Sequence, residues 1–228
     1  MNSHNKFISL LLLPLIVLIT AGSCSKSESQ SVKHTGVDEG WEDLFNGNDL
    51  SGWTQRGGEA IYEVSDGQII GTTVPDTPNS FLCTQQEYSD FILELEVMVD
   101  PVLNSGIQIR SQSNPEYKNG RVHGYQVEID PSERAWSGGI YDEARRGWLN
   151  DLKDNPDARK AFKNGQWNHY KIRAIGDTIQ TWVNGVPAAD LVDTVDASGF
   201  IALQVHSTDH EEPLQVKWRN IRIKTLHD

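Results

Sequence analysis

Between Val122 and Glu143 the chain reads VHGYQVEIDPSERAWSGGIYDE. Side chains of an extended strand alternate, so Gln126, Glu128 and Asp130 share one side while Val127 and Ile129 share the other. One amide and two carboxylates in a row suit a polar groove, where an acid can take up or release a proton and an amide can bridge hydroxyls. The segment Gly138 to Asp142 adds Tyr141 and Asp142 close to that row. The same pattern also fits a plain solvent-facing strand. What separates the two readings is whether other segments repeat it.

They do. In NSGIQIR, which begins at Asn104, Ile107 and Ile109 face one way while Gln108 and Arg110 face the other. In FIALQVH, Ala202, Gln204 and His206 share one face, opposite Ile201, Leu203 and Val205. In TIQTWVNG, the shared face carries Gln180, Trp182 and Asn184. If these strands are neighbours, their polar faces form a lining of amides, carboxylates and a guanidinium. Sugars bind to such a lining, because amides and carboxylates pair with adjacent hydroxyls and tryptophan packs on a pyranose ring. Trp136 and Trp148 are the candidates for the groove rim, whereas Trp41, Trp53 and Trp218 read as core or staple residues. Arg110 also has a plainer use as the counter-ion of Glu128 or Asp130, and His206 one as a structural histidine.

The elements that must hold these residues follow from the rest of the chain. Lys6, the apolar run Phe7 to Thr20 and the small residues before Cys24 have the form of a signal segment, residues 1–24. The position of Cys24 resembles a bacterial lipobox, which makes Cys24 the expected lipidation site and the cell envelope the expected location. Residues 25–39 are polar and read as a tether, and residues 40–228 as a single domain. With Cys24 acylated, Cys83 is the one thiol left, so no intrachain disulfide is expected. Net charge is −12; removing residues 1–35 leaves 17 basic and 31 acidic residues, or −14. An acidic domain without a basic stripe is a poor match for nucleic acid. No zinc or EF-hand spacing is present, while calcium held by scattered carboxylates and carbonyls is left open.

From Gly40 onward, short runs such as DFILELEVMV, HYKIRAI and LQVKWRNIRIKTL are separated by Gly, Asn, Asp and Pro, as in an all-β chain. Ser65-Asp66-Gly67 and Asn184-Gly185 are expected turns. One short helix is expected over Asn155 to Lys163, with Asn155 as its cap and Pro156 in its first turn. Nine or more strands must bury their apolar faces against one another, which predicts a two-sheet antiparallel β-sandwich.

WEDLFNGNDLSGW, EYSDFILELEV, NSGIQIR, GYQVEID, SGGIYDEARRGWL, WNHYKIRAIGDTIQTWVNG, GFIALQVH and WRNIRI follow one another in an order that resembles the family once called domain of unknown function 1080. That family is now described as the 3-keto-disaccharide hydrolase domain. The resemblance spans about Gly40 to Leu226 and implies a jelly roll similar to concanavalin-like lectins and glucanases. It places the family's motifs on Asn104, Ser105, Arg110, Gln126, Glu128, Asp130, Tyr141, Asp142, Trp182, Gln204 and His206. Many relatives carry Glu-x-Gln on the central strand, whereas this chain has Gln126-Val127-Glu128. The swap leaves open whether Glu128 or Asp130 is a base.

The implied activity is cleavage of a glycosidic bond next to a C3 ketone. The ketone acidifies the C2 hydrogen, so a base can remove it, an enolate form and the C1 substituent leave; water then adds to the unsaturated sugar. Glu128 or Asp130 would be the base, Arg110 or a cation the enolate partner, and His206 or Tyr141 the acid. Asn104, Gln108, Gln126, Asp142, Trp136, Trp148, Trp182 and Gln204 would bind substrate. A separate sugar 3-dehydrogenase would be the expected supplier of the ketone. A carbohydrate-binding surface lipoprotein without catalysis and an adhesion domain without sugar chemistry are the competing readings.

Overall fold

The strand Phe91–Val99, FILELEVMV, shows how this sequence makes a sheet. Its odd-numbered residues Phe91, Leu93, Leu95, Val97 and Val99 are buried, and the even-numbered ones, Glu94 and Glu96 among them, are partly exposed. The computed structural model describes residues 39–226. Cys24 and nearly all of the expected tether lie outside the described residues.

Two antiparallel sheets pack face to face. The first runs β13 (Val186–Val192), β12 (Thr178–Val183), β11 (Asn168–Ile175), β6 (Phe91–Val99), β15 (Gln215–Thr225), β4 (Gln68–Thr72) and β3 (Ile61–Ser65), with β1 (Glu42–Asp43) also paired to β15. The second runs β10 (Gly147–Asn150), β9 (Ile140–Glu143), β8 (His123–Ile129), β7 (Ser105–Gln112), β14 (Gly199–Val205), β5 (Ser80–Tyr88) and β2 (Trp53–Gly57). One core joins them, with Leu93, Tyr170 and Trp218 from the first sheet against Ile107, Val127, Ile129, Leu203 and Val205 from the second. Each such side chain contributes about 1.5–3 kcal/mol when fully buried. A one-residue slip of β8 would exchange Val127 and Ile129 for Glu128, so the register is strongly determined.

Both expected hairpin turns are present. Asp66 and Gly67 take φ of 51° and 70° between the paired Ser65 and Gln68, and Asn184 and Gly185 take 51° and 80° between Val183 and Val186. Positive φ at both central residues is what a two-residue hairpin needs, and Asp-Gly and Asn-Gly supply it at least cost. The helix is shorter than expected, only α1 (Pro156–Arg159), although Asn155 does cap it by accepting from the Ala158 amide at 3.2 Å. Beyond it the Asn168 side chain bonds both the amide and the carbonyl of Lys163, holding that stretch to β11 instead. Among the described residues no helix is long and apolar enough to cross a membrane.

Candidate active site

The outer face of the second sheet is where the polar rows meet. The pairings align Phe81, Gln204, Gly106 and Glu128 in one row and Cys83, Ala202, Gln108, Gln126, Tyr141 and Trp148 in the next. Gly106 matters to this surface: a Cβ there would lie 2.4 Å from the Gln126 amide carbon, so only glycine lets Gln126 lie across the strand. Above these rows opens a cleft of about 860 Å³. Glu128, Gln126, Asn104, Tyr141, Glu143, Trp148, Arg134, Lys118, Arg121, Phe81, Asn79 and His206 are among the residues that line it.

Glu128 is 4 % exposed and every donor around it is defined. Asn104 donates to Oε1 at 2.7 Å, Arg134 to the same oxygen at 3.1 Å, and Gln126 to Oε2 at 2.9 Å. Burial pushes its pKa up to about 6, against the pull of Asn104, Gln126 and the Arg134 guanidinium. An ionised carboxylate has about four acceptor positions. Three donors leave one open, on Oε2, and Glu128 lines the cleft.

Asp130, two residues on, has the opposite character. Its carboxylate accepts from the Ser132 amide and hydroxyl, from Arg134 Nε at 2.7 Å and from the Trp136 amide. Burial raises its pKa, but these bonds outweigh burial and hold it below the usual carboxylate range. The carboxylate organises the loop that carries Arg134 and Trp136. Arg134 in turn lies over the rings of Trp136 and Trp148, 4.9 and 5.0 Å from their centroids. The Tyr141 phenol is kept protonated, its pKa raised by burial and then by Glu143 and Glu128. His206 Nδ1 donates to the Ser207 carbonyl, 2.7 Å away, which can only accept.

Residues 40–224 match the 3-keto-alpha-glucoside-1,2-lyase-like domain family. The chain belongs to that family. Among solved structures it is similar to a provisionally assigned glycosyl hydrolase from Parabacteroides distasonis, with 19 % identity, a TM-score of 0.60 and coverage of 82 % of this chain and 94 % of that one. A Bacillus subtilis protein with a galectin-like fold gives a TM-score of 0.59 at 13 % identity, covering 81 % and 94 % of the two chains. A carbohydrate-binding module from Bacillus subtilis gives 0.55 at 17 %, covering 76 % and 96 %. At these identities the likeness is one of fold. No curated protein matches the chain.

In this lyase-like domain the sequence-derived site residues divide. Asn104, Gln126, Glu128, Tyr141, Trp148 and His206 line one cleft, and Trp136 stands behind Trp148, in edge contact at 4.8 Å. Gln108 and Gln204 lie beneath the surface, fully buried. Gln204 retains no hydrogen-bond partner at either amide atom.

Arg110 is displaced from the groove. β7 carries one extra residue between Ile109 and Gln112, and Arg110 takes φ of 46° there. The bulge breaks the alternation, so Ser111 rather than Arg110 joins Gln108. Arg110, 1 % exposed, instead bonds Asp90 at 2.9 Å and the carbonyls of Ser89 and Gly176. Asp142 pairs with Tyr125 across the sheet, on the face opposite Tyr141, and is held by Arg145 and Arg146. Trp182, on β12, belongs to the other sheet, with the Lys171 ammonium 5.6 Å from its ring centroid. Asp130 does not line the cleft, and its acceptors are occupied as described.

Glu143, Arg134 and Arg121 are among the cleft residues that were not anticipated. Glu143 shares Tyr141's face by simple alternation, and burial raises its pKa against the opposing Arg121. Arg134 sits four residues after Asp130 in the loop that follows β8, where spacing alone does not fix its partner. Arg121 belongs to the β7–β8 connection, which gave no local signal. Among the described residues no group of three or more His, Cys, Asp or Glu is placed to hold a metal ion.

Proposed function

We propose that the domain cleaves glycosidic bonds in sugars that carry a ketone at C3. The supporting observation is Glu128: a desolvated carboxylate that lines a cleft and keeps one acceptor position open, in the company of a guanidinium and a phenol. Family membership supports a glycoside-related activity, and the residues support this particular route.

In the proposed reaction, Glu128 Oε2 takes the proton from C2. The C2–H electrons form a C2–C3 double bond and leave the charge on O3; as that enolate collapses the C3 ketone re-forms, the C1–C2 double bond forms and the C1–O bond breaks. Arg134 and Asn104 stand beside the base and supply the donors that O3 requires, the part the sequence had suggested for Arg110. Tyr141, held neutral, gives its proton to the departing oxygen. Water then adds across the unsaturated sugar. The ketone comes from a preceding oxidation, so a sugar 3-dehydrogenase is the proposed partner activity.

The test compares nitrophenyl glucosides with and without the C3 ketone. Cleavage confined to the oxidised compound, slowed by deuterium at C2, is the expected result. Equal cleavage of both would return the site to ordinary hydrolysis, and binding without cleavage of either would make the domain a carbohydrate-binding module. For location, we propose lipid attachment at Cys24. Each buried methylene of an acyl chain contributes about 0.8 kcal/mol, and several chains hold firmly. Cys24→Ala is expected to move the protein to the soluble fraction, and undiminished retention in membranes would dismiss the anchor.

A further inference from the structure

From the cleft-lining Gln126 a chain of side chains runs inward to Gln108 and Ser111, which are fully buried and do not line the cleft. Ser111 Oγ donates to Gln108 Oε1 at 2.8 Å, Gln108 Nε2 donates to Gln126 Oε1 at 2.6 Å, and Gln126 Nε2 donates to Glu128 Oε2 at 2.9 Å. Each link has one direction, so the Ser111 hydroxyl determines which end of Gln126 meets the carboxylate. We propose that Ser111, Gln108 and Gln126 form a reversible amide relay that turns over as a unit when Glu128 takes up a proton, making Gln108 and Ser111 positioning residues for that carboxylate.

The argument lies in what each neighbour is able to do. Arg134 donates to Oε1 and cannot accept, so a proton arriving on Glu128 is directed to Oε2. A carboxylic hydroxyl there accepts poorly and donates well, and its partner improves if Gln126 presents Oε1 in place of Nε2. Gln126 Nε2 then faces Gln108, which must present its own Oε1. Gln108 Nε2 is thereby aimed at Ser111 Oγ, which must accept. Ser111 can do so, because the carbonyls of Ile109 and Tyr125, each 3.3 Å from Oγ, stand ready to receive its proton. Both settings satisfy every member, and no proton passes along the amides: two half-turns and one hydroxyl rotation connect them. In one setting the relay holds the carboxylate ionised, and in the other it holds the acid.

Glu128 shares its cleft with Glu143 of β9, Lys118 and Arg121 of the β7–β8 connection and His206 just after β14. Arg134 and Asp130 come from the loop after β8, Tyr141 from β9, and Tyr170 from β11, whose phenol donates to the Glu128 carbonyl at 3.2 Å. On β14 the residue in Glu128's row is the uncharged Gln204. The base's link to β7 therefore runs through Asn104 and through this relay.

The turnover half of the test rests on Glu128 being the base; the spectroscopic half does not. With the full chain selectively labelled with [15N]glutamine, the side-chain amide signals of Gln108 and Gln126 should titrate together with Glu128 and stop titrating in Glu128→Gln. Gln108→Met should move the acidic limb of the kcat/KM profile up by about one pH unit, since Gln126, no longer held by Gln108, can offer its carbonyl to the protonated acid instead of its amide to the carboxylate, with KM little changed. Ser111→Ala should act in the same direction and less. A Gln108 amide that stays constant while Glu128 titrates would overturn the relay. So would a Gln108→Met variant that loses kcat without any movement of the limb. If no 3-keto glycoside is turned over, the amide titration still decides the relay, so the two failures are distinct.

Discussion

Both sheets turn a polar, tryptophan-bearing face outward, and only one of them is a site. On the first sheet Glu94 and Glu96 of β6 stand beside Arg219 and Arg222 of β15, paired at 2.6–2.7 Å and partly exposed. On the second sheet Glu128 is covered and approached by one cation that it shares with Asp130. The residue types are nearly the same. The difference lies in what covers them: the β7–β8 connection, the loop after β8 and the β9–β10 hairpin build walls around Glu128, and dewatering turns a carboxylate that would be merely paired into one poised to accept a proton.

The largest expected effect separates those two faces. Glu128→Gln should lower turnover of a 3-keto glycoside by roughly 10²–10⁴-fold, the usual contribution of general acid–base catalysis. Glu94→Gln on the other face should change it by less than about twofold, as surface changes generally do. Stability should move in the opposite sense. The folded pKa of Glu128, about 6, exceeds the ordinary glutamate value of 4.5, so protonation favours the fold. Its contribution is present below pH 4.5 and is lost as pH rises through 6, an ionisation cost of about 2 kcal/mol. Glu128→Gln should therefore be more stable than the parent at pH 7, by denaturant unfolding, and the difference should shrink in acid. A variant that is inactive and also destabilised at pH 7 would point to a structural role for Glu128.

A smaller effect is expected two residues away, with the sign reversed. Asp130 has a lowered pKa, so its stabilisation is present above the ordinary aspartate value of 3.8 and fades as pH falls through the folded value. Asn at 130 can accept only on one oxygen, which leaves donors among Ser132, Arg134 and Trp136 unmatched. Asp130→Asn should cost about 2 kcal/mol at pH 7, the worth of bonds to a charged acceptor, and the gap to the parent should close in acid. Activity should fall less than in Glu128→Gln, through a loosened Arg134. If Asp130→Asn were instead the deader and the more stable of the two, the assignment of base and scaffold would have to be exchanged.

Alternation made much of this legible before any coordinates. Val127, Ile129, Leu203 and Val205 enter the core and Gln126 and Glu128 turn outward because period two leaves no other choice once one face is buried. Asp66-Gly67 and Asn184-Gly185 announced their turns by chemistry. Arg110 was misplaced because a bulge changes the parity of a strand, and a non-glycine residue at φ of 46° leaves no mark in the sequence. Asp142 was preferred to Glu143 although neighbours in a strand cannot share a face, so parity applied strictly would have chosen Glu143. Arg134 escaped because its place depends on the course of a loop. Trp182 is a different kind of error: its local pattern was right and its sheet was wrong. Sheet membership depends on strand order, which local periodicity does not carry.

That error yields the finest test of the comparison, since Trp148 and Trp182 are alike in type and lie on opposite sheets. Trp148 lines the cleft, touches Trp136 and Tyr141 edge-on, and lies under Arg134. Trp182 is half-buried on β12, opposite Lys171 and Pro187. Trp148→Ala removes a ring from the wall beside Glu128, so KM for a 3-keto glycoside should rise by about tenfold, as for other aromatic anchors. Trp182→Ala should leave kcat and KM within about twofold, its effect confined to a modest loss of stability from exposed strand contacts. Measuring both in one assay guards against a general weakening of the fold, because that would depress the two variants alike. A raised KM in Trp182→Ala with unchanged thermal stability would mean that the first sheet also meets the sugar. The groove would then have to be extended across both faces of the sandwich.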